Sequence, residues 1–234
     1  MSSDKEMTLM EHLLELKDRF VVVAIAVVAT TAISFFFSVD IIRILLIPSG
    51  YTTLISIDPT ENFATVFRVA LFSGIALAMP VILYEIYAYI GPALLPGERR
   101  FILTLGPFVL LLFAGGMAFC YFLLLPQALK FLLAFAGDVI ENQLRASTYL
   151  QFVTTFILGM GLVFEMPAII FALIKVGVVK RAWLAKQRRY AFLIAFVAAA
   201  VLTPTPDPFN QALVAVPMYL LFELGLLLGR AVSS

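Results

Sequence analysis

The chain has 234 residues, 62% of them hydrophobic and 13% charged, with 16 Lys+Arg against 15 Asp+Glu and a formal net charge of +1. Soluble domains carry about 25% charged residues, so an ordinary water-soluble fold is excluded, and a balance so close to zero carries no message for nucleic acid. One cysteine, Cys120, excludes an internal disulfide. One histidine, His12, leaves no His/Cys metal cluster, and no GxxxxGKS/T or GxGxxG string is present to hold a nucleotide. Neither a metal nor a cofactor is expected.

The first nineteen residues are polar and carry both signs. No small-residue cleavage pattern follows the first apolar run, so they do not read as a signal peptide. Thr8 and Glu11 have the spacing of a capping box. Leu9, Leu13, Leu16 and Phe20 recur at helical spacing, which predicts a short amphipathic helix leading into the first span. Residues 20–38 are uncharged and long enough to cross a hydrocarbon core of about 30 Å. The polar stretch 40–61 predicts an extramembrane cap with short helices, since the apolar piece 41–47 is too short to span.

Span two is predicted over 64–90, followed by a tight Pro/Gly-bounded loop carrying Glu98, Arg99 and Arg100. Span three is predicted over 101–125, stopped by Pro126, and a second polar segment over 130–145. Span four covers 148–174, and a strongly basic loop runs over 175–189. Span five starts at Tyr190 and meets the proline-rich turn after about thirteen residues, roughly 20 Å of helix. Span six covers 209–229, its apolar length cut by Gln211 and Glu223. The expected fold is one all-α domain over residues 1–234: a polytopic membrane protein of six helices in a concave bundle, with spans five and six short.

Glu165 stands alone in span four, apolar on both sides. An ionisable group there costs about 2.5–3.5 kcal/mol on insertion scales, so such groups face a protein interior or a wet cavity. A wet pocket beside spans five and six is expected. The plainer alternative is an acid paired with a polar group on another helix. Placing the N-terminus in the cytoplasm puts Lys5, Lys17, Arg19, Arg99, Arg100, Lys175, Lys180, Arg181, Lys186, Arg188, Arg189 and Arg230 on that side, 12 of the 16 cations. The positive-inside rule then predicts both termini cytoplasmic.

Several strings resemble one family. His12-Leu-Leu-Glu15-Leu-Lys-Asp-Arg19 resembles the N-terminal signature of TatC, the multi-spanning subunit of the twin-arginine protein translocase. The stretch from Ala78 to Arg100 resembles that family's second span and following loop, Phe164-Glu-Met-Pro167 its fourth-span motif, and Leu202 to Gln211 with Val216 to Leu224 its last turn and span. The matches are in the family's order over nearly all of the chain. Lys17 stands where an arginine is usual, the proline turn carries an extra residue, and glutamine is common where Glu165 stands.

The resemblance implies a receptor and not an enzyme. It implies binding of the twin-arginine signal peptide of folded substrates at the cytoplasmic face of a prokaryotic cytoplasmic membrane. Recruitment of the single-span subunits TatA and TatB would follow, with transport driven by the proton-motive force. A homo-oligomer within the receptor complex stays open. The implied signal-binding residues are Glu15, Glu98, Lys17 and Arg19; Gln211 is implied as a contact for a partner helix. The chemistry suits the ligand, because a guanidinium is planar, always charged and binds carboxylates bidentately. The plainer alternatives are an i,i+4 pair of Glu15 with Arg19, and neutralisation of Glu98 by Arg99 and Arg100. A proton-coupled small-molecule transporter using Glu165 is the competing function.

Overall fold

The computed structural model describes residues 9–91, 96–135, 143–203 and 207–232; the side chains of residues 9, 96, 98–102, 231 and 232 are not described. Thr8, the acids Asp138 and Glu141, and the turn residues 204–206 lie outside the described residues. The described elements are helical: α1 Leu9–Phe36, α2 Ser38–Leu46, α3 Pro59–Ile90, α4 Pro96–Phe119, α5 Leu125–Ala134, α6 Ala146–Phe164, α7 Met166–Lys175, α8 Arg181–Lys186, α9 Arg188–Leu202 and α10 Pro208–Leu228. Five stretches are long and apolar enough to cross a membrane: α1, α3, α4 continued by α5, α6 continued by α7, and α10. Span five, α9, has 15 residues, about 22 Å of helix. The last span is a full 21-residue helix, with Gln211 near its start and Glu223 near its end.

The amphipathic N-terminal turns and the first span form one unbroken helix. Span three departs from expectation. Pro126 does not stop it; a π-helical turn over Cys120–Leu124 precedes α5, whose second position is Pro126. A proline has no N–H and its ring crowds the carbonyl four residues back. The wider π turn resets the hydrogen-bond register just before the ring, and the helix continues to Ala134.

The spans alternate in direction. Thr30 Oγ1 donates to the Gly74 carbonyl at 2.8 Å and Arg19 pairs with Glu85, so α1 and α3 run antiparallel. At that crossing a Cβ on Gly74 would lie 2.6 Å from the Thr31 Cα, so only glycine admits the approach. The helices α7 and α10 run parallel, with Ile170 against Gly225 and Ile174 against Gly229. Helix α6 lies at the centre, and its Leu150, Val153, Phe156 and Met160 are fully buried.

The extramembrane cap is held by side chains that satisfy helix ends. Asp58 caps α3 through the Thr60 N–H at 2.8 Å, with Pro59 at the first helical position. The N–H and hydroxyl of Thr60 hold the Asp58 carboxyl below the usual carboxylate range. One oxygen of Glu61 accepts from Arg145 at 3.0 Å and from the Ser147 N–H at the start of α6 at 2.9 Å; the other accepts from the Ile57 N–H at 3.1 Å. Ile55 and the 144–146 segment exchange two backbone bonds of 2.9 Å. The Tyr121 and Tyr149 hydroxyls donate to the carbonyls of Ile44 and Leu45, which close the open end of α2. Gly50 takes the left-handed conformation, φ +74°, that ends the short 3-10 turn after α2.

Candidate functional site

At the end of the bundle where α1 begins and α3 ends, an open groove of about 530 Å3 is lined by Glu11, Leu14, Glu15, Asp18, Arg19, Val22 and Glu85. Four carboxylates and one guanidinium line it. Arg19 bridges two of them. Its Nε and Nη2 donate to one Glu15 oxygen, and its Nη1 donates to Glu85 Oε2 at 3.0 Å. Helical geometry brings Glu15 to Arg19, because residues four apart share a face. The antiparallel packing of α1 on α3 brings Glu85. The second oxygen of Glu15 is shielded and accepts no hydrogen bond from any described residue. His12 Nδ1 lies 4.0 Å from it, and the imidazole stacks on Tyr89 of α3 at 4.5 Å between centroids.

Lys17 is exposed, pairs with Asp18 at 3.4 Å and does not line the groove. Glu98 lies in the first turn of α4, and its side chain is among those not described.

Glu165 occupies the junction between α6 and α7. Pro167, the second residue of α7, cannot donate to the carbonyl four residues earlier. The chain tightens there, with the Glu165 N–H bonded to the Leu162 carbonyl at 3.1 Å. The side chain is 6% exposed, and its Oε1 has no hydrogen-bond partner among the described residues. It borders a cavity of about 330 Å3 whose walls are α3 (Leu83, Tyr87), α4 (Leu105, Val109) and α7 (Ala168, Ala172). The cavity therefore lies among spans two, three and four, and not beside spans five and six. The reason is the rotation of α7: its Ile170 and Ile174 face α10, which turns Glu165, Ala168 and Ala172 the other way.

Spans five and six form an antiparallel hairpin closed at both ends. Gln211 is half-buried and donates through Nε2 to the Phe196 carbonyl at 2.9 Å. Arg188 holds both Glu223 oxygens, at 2.7 and 2.8 Å, and the Tyr219 hydroxyl donates to the same carboxylate at 3.0 Å. Among the described residues no group of three His, Cys, Asp or Glu could hold a metal ion.

Residues 11–217 match the family model for the Sec-independent protein translocase protein TatC. The chain belongs to the TatC family. It is 36% identical to the TatC protein of Carboxydothermus hydrogenoformans over 232 residues, 98% of this chain and 96% of that one. It is 41% identical to the chloroplast TatC protein of Arabidopsis thaliana over 97% of this chain and 66% of that one. A crystal structure of the twin-arginine translocase receptor TatC shares its fold with a TM-score of 0.86 and 36% identity, covering 96% of this chain and 100% of the other.

Set against the TatC resemblance, the structure joins Glu15 and Arg19 in one groove and leaves Lys17 outside it. It adds Glu85, which the residue strings did not single out. The available signal was depth: Glu85 lies near the end of span two that shares a membrane face with Glu15. An acid at that depth on one helix and an arginine on the next in sequence are natural partners.

Proposed function

We propose that this TatC-family protein is the signal receptor of a twin-arginine translocase, with the Glu15 groove as part of the cytoplasmic surface that takes the arginine pair. The observation that carries this reading is the bonding of Arg19. Two carboxylates from different helices already converge on one guanidinium in an open groove. That arrangement suits arginine better than lysine, because the planar guanidinium holds several donors in fixed directions toward both carboxylates. Glu98, on the first turn of the neighbouring span, supplies a further acid, and Lys17 and Arg19 set the local charge.

In this reading the protein is a multi-pass protein of a prokaryotic cytoplasmic membrane with both termini in the cytoplasm. Its partners are folded substrates bearing twin-arginine signals and the single-span subunits TatA and TatB. Gln211 sits at the α9–α10 hairpin where a partner helix can lie. The Glu165 cavity receives apolar signal sequence or a partner helix at membrane depth, and transport draws on the proton-motive force. The protein acts by binding and assembly and carries out no covalent chemistry. Titration of the nanodisc-held protein with an Arg-Arg signal peptide and its Lys-Lys counterpart tests the reading. Preference for Arg-Arg is expected; equal binding of the two, or none, would overturn it.

A further inference from the structure

The receptor reading leaves one feature of the groove without a purpose. The guanidinium that fits the site belongs to the protein itself. Arg19 spends three donors on Glu15 and Glu85, and the triad is sheltered, with side-chain exposures of 25%, 19% and 12% for Arg19, Glu15 and Glu85. If Arg19 were only neutralising acids, a single partner would suffice. Instead its fork spans two helices.

The acids around it are not used up. Glu15 Oε2 is shielded and unpartnered, and Glu85 meets Arg19 through Oε2 alone. The wall also carries Glu11 and Asp18, the latter paired with Lys17. A shielded, unpartnered carboxylate oxygen is unfavourable because its desolvation is uncompensated, so an added donor there is favourable. The apolar part of the wall, Leu14 and Val22, suits the methylene stem of an arginine whose head reaches the acids.

We propose that Arg19 is an internal stand-in for a ligand arginine, and that Glu85 is a specificity-determining acid of the groove beside Glu15. This rests on the receptor reading and deepens it. In the empty receptor Arg19 occupies the position between Glu15 and Glu85. An incoming guanidinium takes that position, and Arg19 turns out to the open side of the groove. The exchange trades one set of charge-assisted contacts for another, so Glu15 and Glu85 have a guanidinium partner both before and after it. It also raises discrimination. A lysine ammonium is a compact point charge and cannot reproduce the planar set of three donors that Arg19 gives up, so displacement selects for arginine.

The stand-in role and a merely structural role predict opposite signs for one substitution. A staple that holds Glu15 in place makes Arg19→Gln bind signal peptide more weakly. A stand-in makes it bind more tightly, because the competitor is gone. The experiment is titration of the full chain in nanodiscs with an Arg-Arg signal peptide and its Lys-Lys counterpart, for wild type, Glu85→Gln, Glu85→Asp, Arg19→Gln and Arg19→Lys. Glu85→Gln should weaken Arg-Arg binding about tenfold and narrow the Arg-Arg over Lys-Lys ratio, with Glu85→Asp recovering most of the loss. Arg19→Gln should tighten Arg-Arg binding. Arg19→Lys keeps the charge balance but loses the fork, and should tighten it too, by less. If Arg19→Gln does not insert, Arg19→Lys decides alone. Wild-type binding by Glu85→Gln, or weaker binding by the Arg19 variants, overturns the stand-in while the receptor reading stands. A wild type that does not prefer Arg-Arg sinks the receptor reading itself.

Discussion

Glu61 and Arg145 meet at 3.0 Å across 84 residues of sequence, and their pair joins the two extramembrane segments of the chain. The same carboxylate accepts the Ser147 N–H, so one side chain sits at the starts of both α3 and α6. Glu61→Ala removes all of these acceptors at once. It should lower the thermal midpoint of the purified protein clearly more than Glu61→Gln, whose single amide oxygen can still accept from Arg145 and the Ser147 N–H while the Ile57 N–H loses its acceptor. A wild-type midpoint for Glu61→Ala would show that the network holds nothing.

Asp58 gives a pH-dependent counterpart. Its carboxyl is held below the usual carboxylate range by the N–H and hydroxyl of Thr60. A depressed carboxylate stabilises the fold at pH values above its unfolded value, and the stabilisation is lost as pH falls through the folded value. The midpoint gap between wild type and Asp58→Ala should therefore be full at pH 7 and close as the solution is acidified past the carboxylate range. A gap that grows on acidification would contradict the capping role.

Gly74 marks the closest approach of α1 and α3. A methyl group there would sit 2.6 Å from the Thr31 Cα and 2.7 Å from its N, which are backbone atoms that cannot swing away. Gly74→Ala should destabilise by about 1–3 kcal/mol. Gly115 provides the control, because a methyl group there would meet nothing within 4 Å. Gly115→Ala should stay within about 0.5 kcal/mol of wild type. Reversible unfolding in mixed micelles measures both.

Glu165 has a buried oxygen without a partner among the described residues and a cavity beside it. Transport of a folded reporter, at matched expression, should survive in Glu165→Gln and fall in Glu165→Leu. An amide keeps hydrogen-bonding capacity at membrane depth and an alkyl group keeps none. Binding of the arginine pair should be unchanged in both, because that contact is made at the end of the bundle. Equal loss in the two variants would assign Glu165 an obligatory proton.

Gln211→Ala should loosen the α9–α10 hairpin by about 1 kcal/mol, since it frees the Phe196 carbonyl. Faster amide exchange at the end of α9, with the Arg188–Glu223 end unchanged, is the expected signature. No change at either end would leave Gln211 available for a partner helix only.

The spans were legible because membrane helices announce themselves by long apolar runs, and the brevity of α9 followed from Tyr190 and the proline turn. The end of span three was not. Pro126 reads as a stop unless the preceding turn can widen, and nothing in Cys120 to Leu124 advertises a π turn. The Glu15–Arg19 pair was legible from spacing alone. Its third member was not, because Glu85 belongs to the site only through the register of α1 on α3, fixed at Thr30, Thr31 and Gly74. The side of span four on which the Glu165 cavity opens was missed for the same kind of reason: it depends on which face of α7 the last helix claims.

Helix α7 has two working faces, and their opposition has a mechanical result. On one side Ile170 packs against Gly225 of α10, too closely for a methyl group to intervene, and Ile174 against Gly229 just after it. On the other, Ala168 and Ala172 form a wall of the Glu165 cavity. The two helices cannot slide along each other without first unseating those isoleucines. The helix that lines the cavity is thus the same one that the last span grips, so the cavity wall and the last span share one packed seam.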